Sequence, residues 1–84
     1  MVTRKRKAQT VPVTVRALLQ RVNRVLEADD RVLKSSRGAR AEAELGRFYM
    51  IDLRRHVIVD KAVDLEALAR KLGALKEYEH LVDE

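Results

Sequence analysis

The sequence predicts an α+β fold: one small domain in the order α-β-β-β-α, with a short antiparallel sheet packed by two helices. Three observations predict it. Apolar residues recur at spacings of three and four over residues 15–28, β-branched and aromatic residues cluster over 47–53 and 56–60, and a second helical stripe begins at Leu65. A chain of 84 residues is one domain in size. Burying only about 60–65% of the surface its unfolded form exposes, it has little room for a deep catalytic cleft.

Residues 1–10 hold the consecutive cations Arg4, Lys5, Arg6 and Lys7, which repel one another and bury nothing, so a flexible basic arm is expected there. Pro12 disfavours helix at Val11 and makes Val11-Pro12-Val13 extended. Thr14 then suits an N-cap. Val15, Leu18, Leu19, Val22, Val25 and Leu26 form the apolar stripe of the first helix, with Arg16, Gln20, Arg21, Asn23, Arg24 and Glu27 between them. Arg31–Ser35 reads as a short strand and Ser36-Arg37-Gly38 as a turn. Ala39–Leu45 is a short helix or a loop, because Gly38 and Gly46 leave space for only two turns. The runs 47–53 and 56–60 pair as a hairpin across Arg54-Arg55, whose register is open without Asn-Gly or Asp-Gly. Phe48 and Met50 fall on one face and Tyr49, Ile51 and Leu53 on the other, so the second apolar face calls for cover by a helix or another subunit. Asp64 caps a helix with Leu65, Leu68, Ala69, Leu72 and Leu75 as its stripe, and Gly73 ends it. The domain is expected over residues 11–76, with an acidic tail over 77–84.

The net charge of +5 conceals a segregation: residues 1–24 carry seven of the eighteen Lys/Arg and no acid, and the remaining eleven face thirteen Asp/Glu. Basic character therefore belongs to the N-terminal part. With no cysteine, neither a disulfide framework nor a thiolate metal site can form, and stability must come from an aliphatic core or a partner subunit. No apolar run approaches the roughly 18 residues of a membrane span. The basic start is followed by Ala8-Gln9-Thr10 rather than an apolar signal segment, so a cytoplasmic protein without a membrane partner is expected.

The four clustered cations are the strongest functional signal, because they neutralise phosphates and release condensed counterions. Arg16, Gln20, Arg21 and Arg24 extend that basic surface along the first helix with side chains able to make bidentate contacts. A non-enzymatic nucleic-acid-binding or regulatory protein is therefore expected. The alternative is a protein-interaction module, an inhibitor, adaptor or homodimer, meeting its partner through Tyr49, Ile51, Leu53, Val57 and Ile58. Catalytic patterns are sparse. Ser35 and Ser36 lack a nucleophile-elbow sequence, and His56 and His80 match no metal spacing. Asp29-Asp30, Glu42/Glu44 and Asp60/Asp64 are accounted for by positions at helix ends. Neither a metal, a cofactor nor a small-molecule substrate is expected.

The segment Asp64-Leu-Glu-Ala-Leu-Ala-Arg-Lys-Leu-Gly73 resembles the first helix and turn of a helix-turn-helix unit, although the acids that follow would be repelled by phosphate. Together with Leu45-Gly-Arg-Phe-Tyr-Met-Ile-Asp-Leu53, the stretch from Val63 to Gly73 looks like small uncharacterised proteins of bacterial plasmids, phages and integrated elements. That resemblance implies a setting of regulators, nucleic-acid-binding accessories and inhibitors of host proteins, and assigns no active residue.

Overall fold

The computed structural model describes residues 10–82. The expected arm lies outside them except for Thr10, as do Asp83 and Glu84. Pro12 holds β1 (Val11–Thr14) extended, and this strand runs without a loop into α1 (Val15–Leu26). Thr14 marks the change of conformation: its Oγ1 accepts from the Ala17 N–H at 3.1 Å and satisfies one of the free donors of the first turn. Leu18, Val22 and Leu26, each four residues from the next, are the buried ridge of α1. A single 3-10 turn, Glu27–Asp29, ends the helix, and Asp30 in the left-handed region (φ 56°) redirects the chain into β2 (Arg31–Ser35).

Ala39–Leu45, which the sequence left between helix and loop, is helix α2. The glycine after it is required by geometry. At Gly46, with φ +79°, a Cβ would lie 2.4 Å from the Ala62 Cα, closer than any side chain tolerates. β3 (Phe48–Asp52) and β4 (Val57–Asp60) form the expected hairpin, β3 one residue shorter at each end and β4 one residue shorter at its start. Its turn is Leu53–His56, organised by Asp52, whose Oδ1 accepts from the Arg54 N–H at 2.9 Å and the Arg55 N–H at 3.3 Å. His56 closes it with φ 58°. Burial pushes the Asp52 carboxyl up, but the Arg55 and Arg54 amides and the Arg55 and Arg31 charges more than offset this, leaving it below the ordinary carboxylate value. α3 (Leu65–Lys71) begins at the Asp64 cap, which accepts from the Ala67 N–H at 3.1 Å, and Gly73 follows in a left-handed conformation.

Two expectations need correction, the acidic tail and the element order. After Gly73 a turn and then strand β5 (Glu79–Val82) follow, in keeping with the argument from the acids against a helix-turn-helix unit. Residues expected in an acidic tail thus supply a strand. β5 pairs parallel with β1, Val11 opposite Glu79 through Thr14 opposite Val82. The expected order α-β-β-β-α consequently gains a strand at each end and a helix in the middle. The described residues form a two-stranded parallel ribbon, β1-β5, and a three-stranded antiparallel sheet, β2-β3-β4.

One core serves both sheets. Val13 of β1, Leu18, Val22 and Leu26 of α1, Leu33 of β2, Phe48 and Met50 of β3, Leu65 and Ala69 of α3, and Leu75 form a single buried cluster. Phe48 and Met50 face inward as the alternation predicts, while Tyr49 and Ile51 are half-buried and Leu53 is exposed. Among the described residues no helix is long and apolar enough to cross a membrane.

Candidate functional site

α1 buries every fourth residue from Leu18 and therefore turns Arg16, Gln20 and Arg24, also at intervals of four, to solvent. None of the three has a hydrogen-bond or ion-pair partner among the described residues. Eight residues of helix separate the two arginines by about 12 Å along the axis. The three side chains form one ridge. On one side of it an open groove is lined by Arg16, Leu19, Gln20, Arg24, Arg31 and Leu53. On the other, Gln20 and Arg24 share a second groove with Arg21, Lys76 and Tyr78. Gln20 and Arg24 thus stand between two depressions, with Arg31 of β2 across one and Lys76 across the other.

Glu27 and Asp30 also border the first groove. They lie at the C-terminal end of α1, and the Asp30 carboxylate is occupied by the Arg54 Nε at 2.8 Å. Arg16, in the first turn of α1, is therefore the ridge cation farthest along the helix from these two acids.

Two residues expected on this surface are engaged in holding the fold. Arg21 donates to the Glu79 carboxylate at 2.8 Å and to the Ala74 carbonyl at 3.2 Å. Glu79 is buried, with 7% exposure. It also accepts from the Lys76 N–H at 2.9 Å, and Arg70 donates to the Glu79 and Lys76 carbonyls. The Arg21 hydrogen bond, then the Lys76 amide, hold the Glu79 carboxyl below its ordinary value, and the same pairing raises Arg21. The second residue is Asn23. Its Oδ1 accepts from the Leu33 N–H at 2.7 Å and its Nδ2 donates to the Leu33 carbonyl at 3.1 Å, so it acts as one rung of a missing strand along the free edge of β2.

Of the residues expected to meet nucleic acid, the structure brings Arg16, Gln20 and Arg24 together and assigns Arg21 to Glu79. Arg4, Lys5, Arg6 and Lys7 lie outside the described residues. Sequence reasoning missed Arg31 and Lys76, because nothing local says that a strand residue and a loop residue will flank the same helix. The residues expected at a protein interface separate into Tyr49 and Ile51, half-buried, and Leu53, Val57 and Ile58, exposed near or on β4. No family model, curated protein or solved structure matches this chain, so its own residues carry the functional reading.

Proposed function

We propose that this protein is a non-enzymatic nucleic-acid-binding or regulatory accessory protein of the cytoplasm, engaging the phosphate backbone through the exposed ridge of α1 together with the cations Arg4–Lys7. The observation that carries the reading is the ridge itself: Arg16, Gln20 and Arg24 are aligned, exposed and without partners among the described residues. Eight helical residues set Arg16 and Arg24 about 12 Å apart along the axis, close to the axial rise of roughly three to four nucleotides on one strand. An arginine already bonded to a carboxylate must surrender that bond to reach a phosphate, whereas Arg16 and Arg24 surrender nothing. The resemblance to small proteins of mobile elements, among which such accessories are common, fits this role.

Each cation that neutralises a duplex phosphate contributes about 0.9 to the slope of log K against log salt. Replacing Arg16 and Arg24 by Gln together is expected to flatten the slope on labelled duplex DNA by about 1.8, with the far-ultraviolet circular dichroism spectrum unchanged because neither side chain supports the fold. The weakening should be similar for unrelated sequences, as expected for backbone contacts. Failure of the wild-type protein to bind duplex DNA and single-stranded RNA at low salt would reject the reading. An unaltered slope in the double variant would move the binding surface away from α1.

A further inference from the structure

The chain has one phenylalanine, two tyrosines and no tryptophan, and the fold treats these rings unequally. Phe48 is buried in the core and Tyr49 is half-buried on the sheet, whereas Tyr78, at 58%, is the most exposed large hydrophobic residue among those described. Its turn is nevertheless held. The Tyr78 carbonyl accepts from the Val11 N–H at 2.7 Å and the Lys76 carbonyl from the Glu79 N–H at 3.0 Å, while the Glu79 carboxylate is bonded to Arg21. The backbone on either side of the ring is therefore fixed, and the ring stands in water with no hydrogen bond to its hydroxyl among the described residues. The same ring lines the second groove beside α1, with Gln20, Arg24, Val25 and Lys76. The groove has a volume of about 560 Å³, within the range of sites that hold small organic ligands. Its lining cations are Arg21, Arg24 and Lys76 and its lining acid is Glu79, which is buried and already bonded to Arg21. Glu77, exposed on the same turn, does not line the groove.

We infer that this groove takes an unpaired base of a single-stranded nucleic acid, its face stacked on Tyr78 and its flanking phosphates met by Arg24 and Lys76. The inference rests on the phosphate reading above and narrows it to strands whose base faces are free. Cations and an aromatic face in one depression select that occupant. A bare phosphate makes no use of the ring, and in a duplex each base face is covered by its neighbours. An unpaired base has both a face to stack and a phosphate on either side, and such stacking tolerates any sequence because every base has a π face. Val25, 41% exposed, adds a second apolar side chain to the groove. Gln20, on the ridge that borders it, carries an amide able both to donate to and to accept from a base edge. Because the turn is fixed before a strand arrives, little ordering is left to oppose the stack.

The test titrates the full chain with a labelled oligothymidylate of about 12 nucleotides at several salt concentrations, and follows the tyrosine ring protons by NMR. The Tyr78 ring resonances, identified by their loss in Tyr78→Phe, are expected to move upfield on binding. Tyr78→Ala should weaken binding about 5–150-fold while the slope of log K against log salt stays as in the wild type, because the stack neutralises no phosphate. Tyr78→Phe keeps the ring and should keep the affinity. Thymidine monophosphate, which reaches only the cations of this groove, should bind at least about tenfold more weakly than the oligomer. Equal affinity for the two would assign the groove to a free nucleotide and overturn the inference. An oligomer that binds with the Tyr78 resonances unmoved, a result independent of how Tyr78→Ala folds, overturns it too and leaves the phosphate reading standing. So does a loss below about twofold in Tyr78→Ala. A chain that binds neither the oligomer nor duplex DNA at low salt ends both.

Discussion

Asn23 shows how far one side chain can differ from the role its helical position suggests. By sequence it belongs among the polar residues of a solvated face; in the fold its amide is the hydrogen-bonding partner of both backbone groups of Leu33. Asn23→Ala leaves an N–H and a carbonyl without that partner beside the core, and a loss of about 1–3 kcal/mol in unfolding free energy is expected by urea denaturation. Asn23→Asp should be no better, because it keeps the acceptor for the Leu33 N–H and turns a carboxylate oxygen toward the Leu33 carbonyl. A stability within about 0.5 kcal/mol of wild type in both variants would show that water substitutes freely for this amide. Nothing in the sequence distinguishes Asn23 from Gln20. Only the arrival of β2 beside α1, a tertiary event, separates the residue that supports the fold from the one left free to bind.

At the scale of elements, α1, β2, the β3-β4 hairpin and α3 were legible, because each has its own periodicity and its own terminator: Thr14 and Asp64 as caps, Gly73 as a stop. β1 and β5 were not legible as a pair. Four-residue strands have too few positions for alternation to register, and the residues that pair, Val11 and Glu79 at the start of each, are nearly a chain length apart. The acids of the C-terminal region read as solvated tail because Glu79 has its cation, Arg21, on a distant helix. The same pairing gives the ribbon a pH dependence. The Glu79 carboxyl is held below its ordinary value, so the stabilisation is complete above about pH 5 and is lost as pH falls through the unfolded value near 4.3 and below it. Glu79→Gln should remove that acid-limb dependence and lower the thermal midpoint at pH 7, bringing the two proteins closer as pH approaches 3. A wild-type protein whose loss between pH 5 and 3 matches that of Glu79→Gln would show that other carboxylates govern acid unfolding.

For the whole molecule, the decisive feature is that one apolar cluster takes residues from both sheets and from two of the three helices. The ribbon contributes Val13 and the antiparallel sheet Leu33, Phe48 and Met50, with Leu18 and Val22 between them at 0% exposure. Neither sheet has a core of its own, and the domain should unfold in one cooperative transition. Leu18→Ala is expected to cost about 2–5 kcal/mol, and to displace the far-ultraviolet signal and the shifted methyl resonances of the core together on heating. Two separated transitions, one for each sheet, would contradict a shared core. The candidate site was half legible at this scale: the basic ridge follows from helical spacing, but its two flanks, Arg31 and Lys76, are set by the tertiary arrangement.

The β1-β5 ribbon also fixes an order of events while the chain is being made. Val11 leaves the ribosome first and its partner Glu79 follows roughly 3–14 s later at about 5–20 residues per second. Throughout that interval β1 has no strand beside it and the apolar ridge of α1 is incompletely covered. The domain can close only when the last of its strands has been delivered, so its native form is reached after synthesis of that strand and not piecemeal during it.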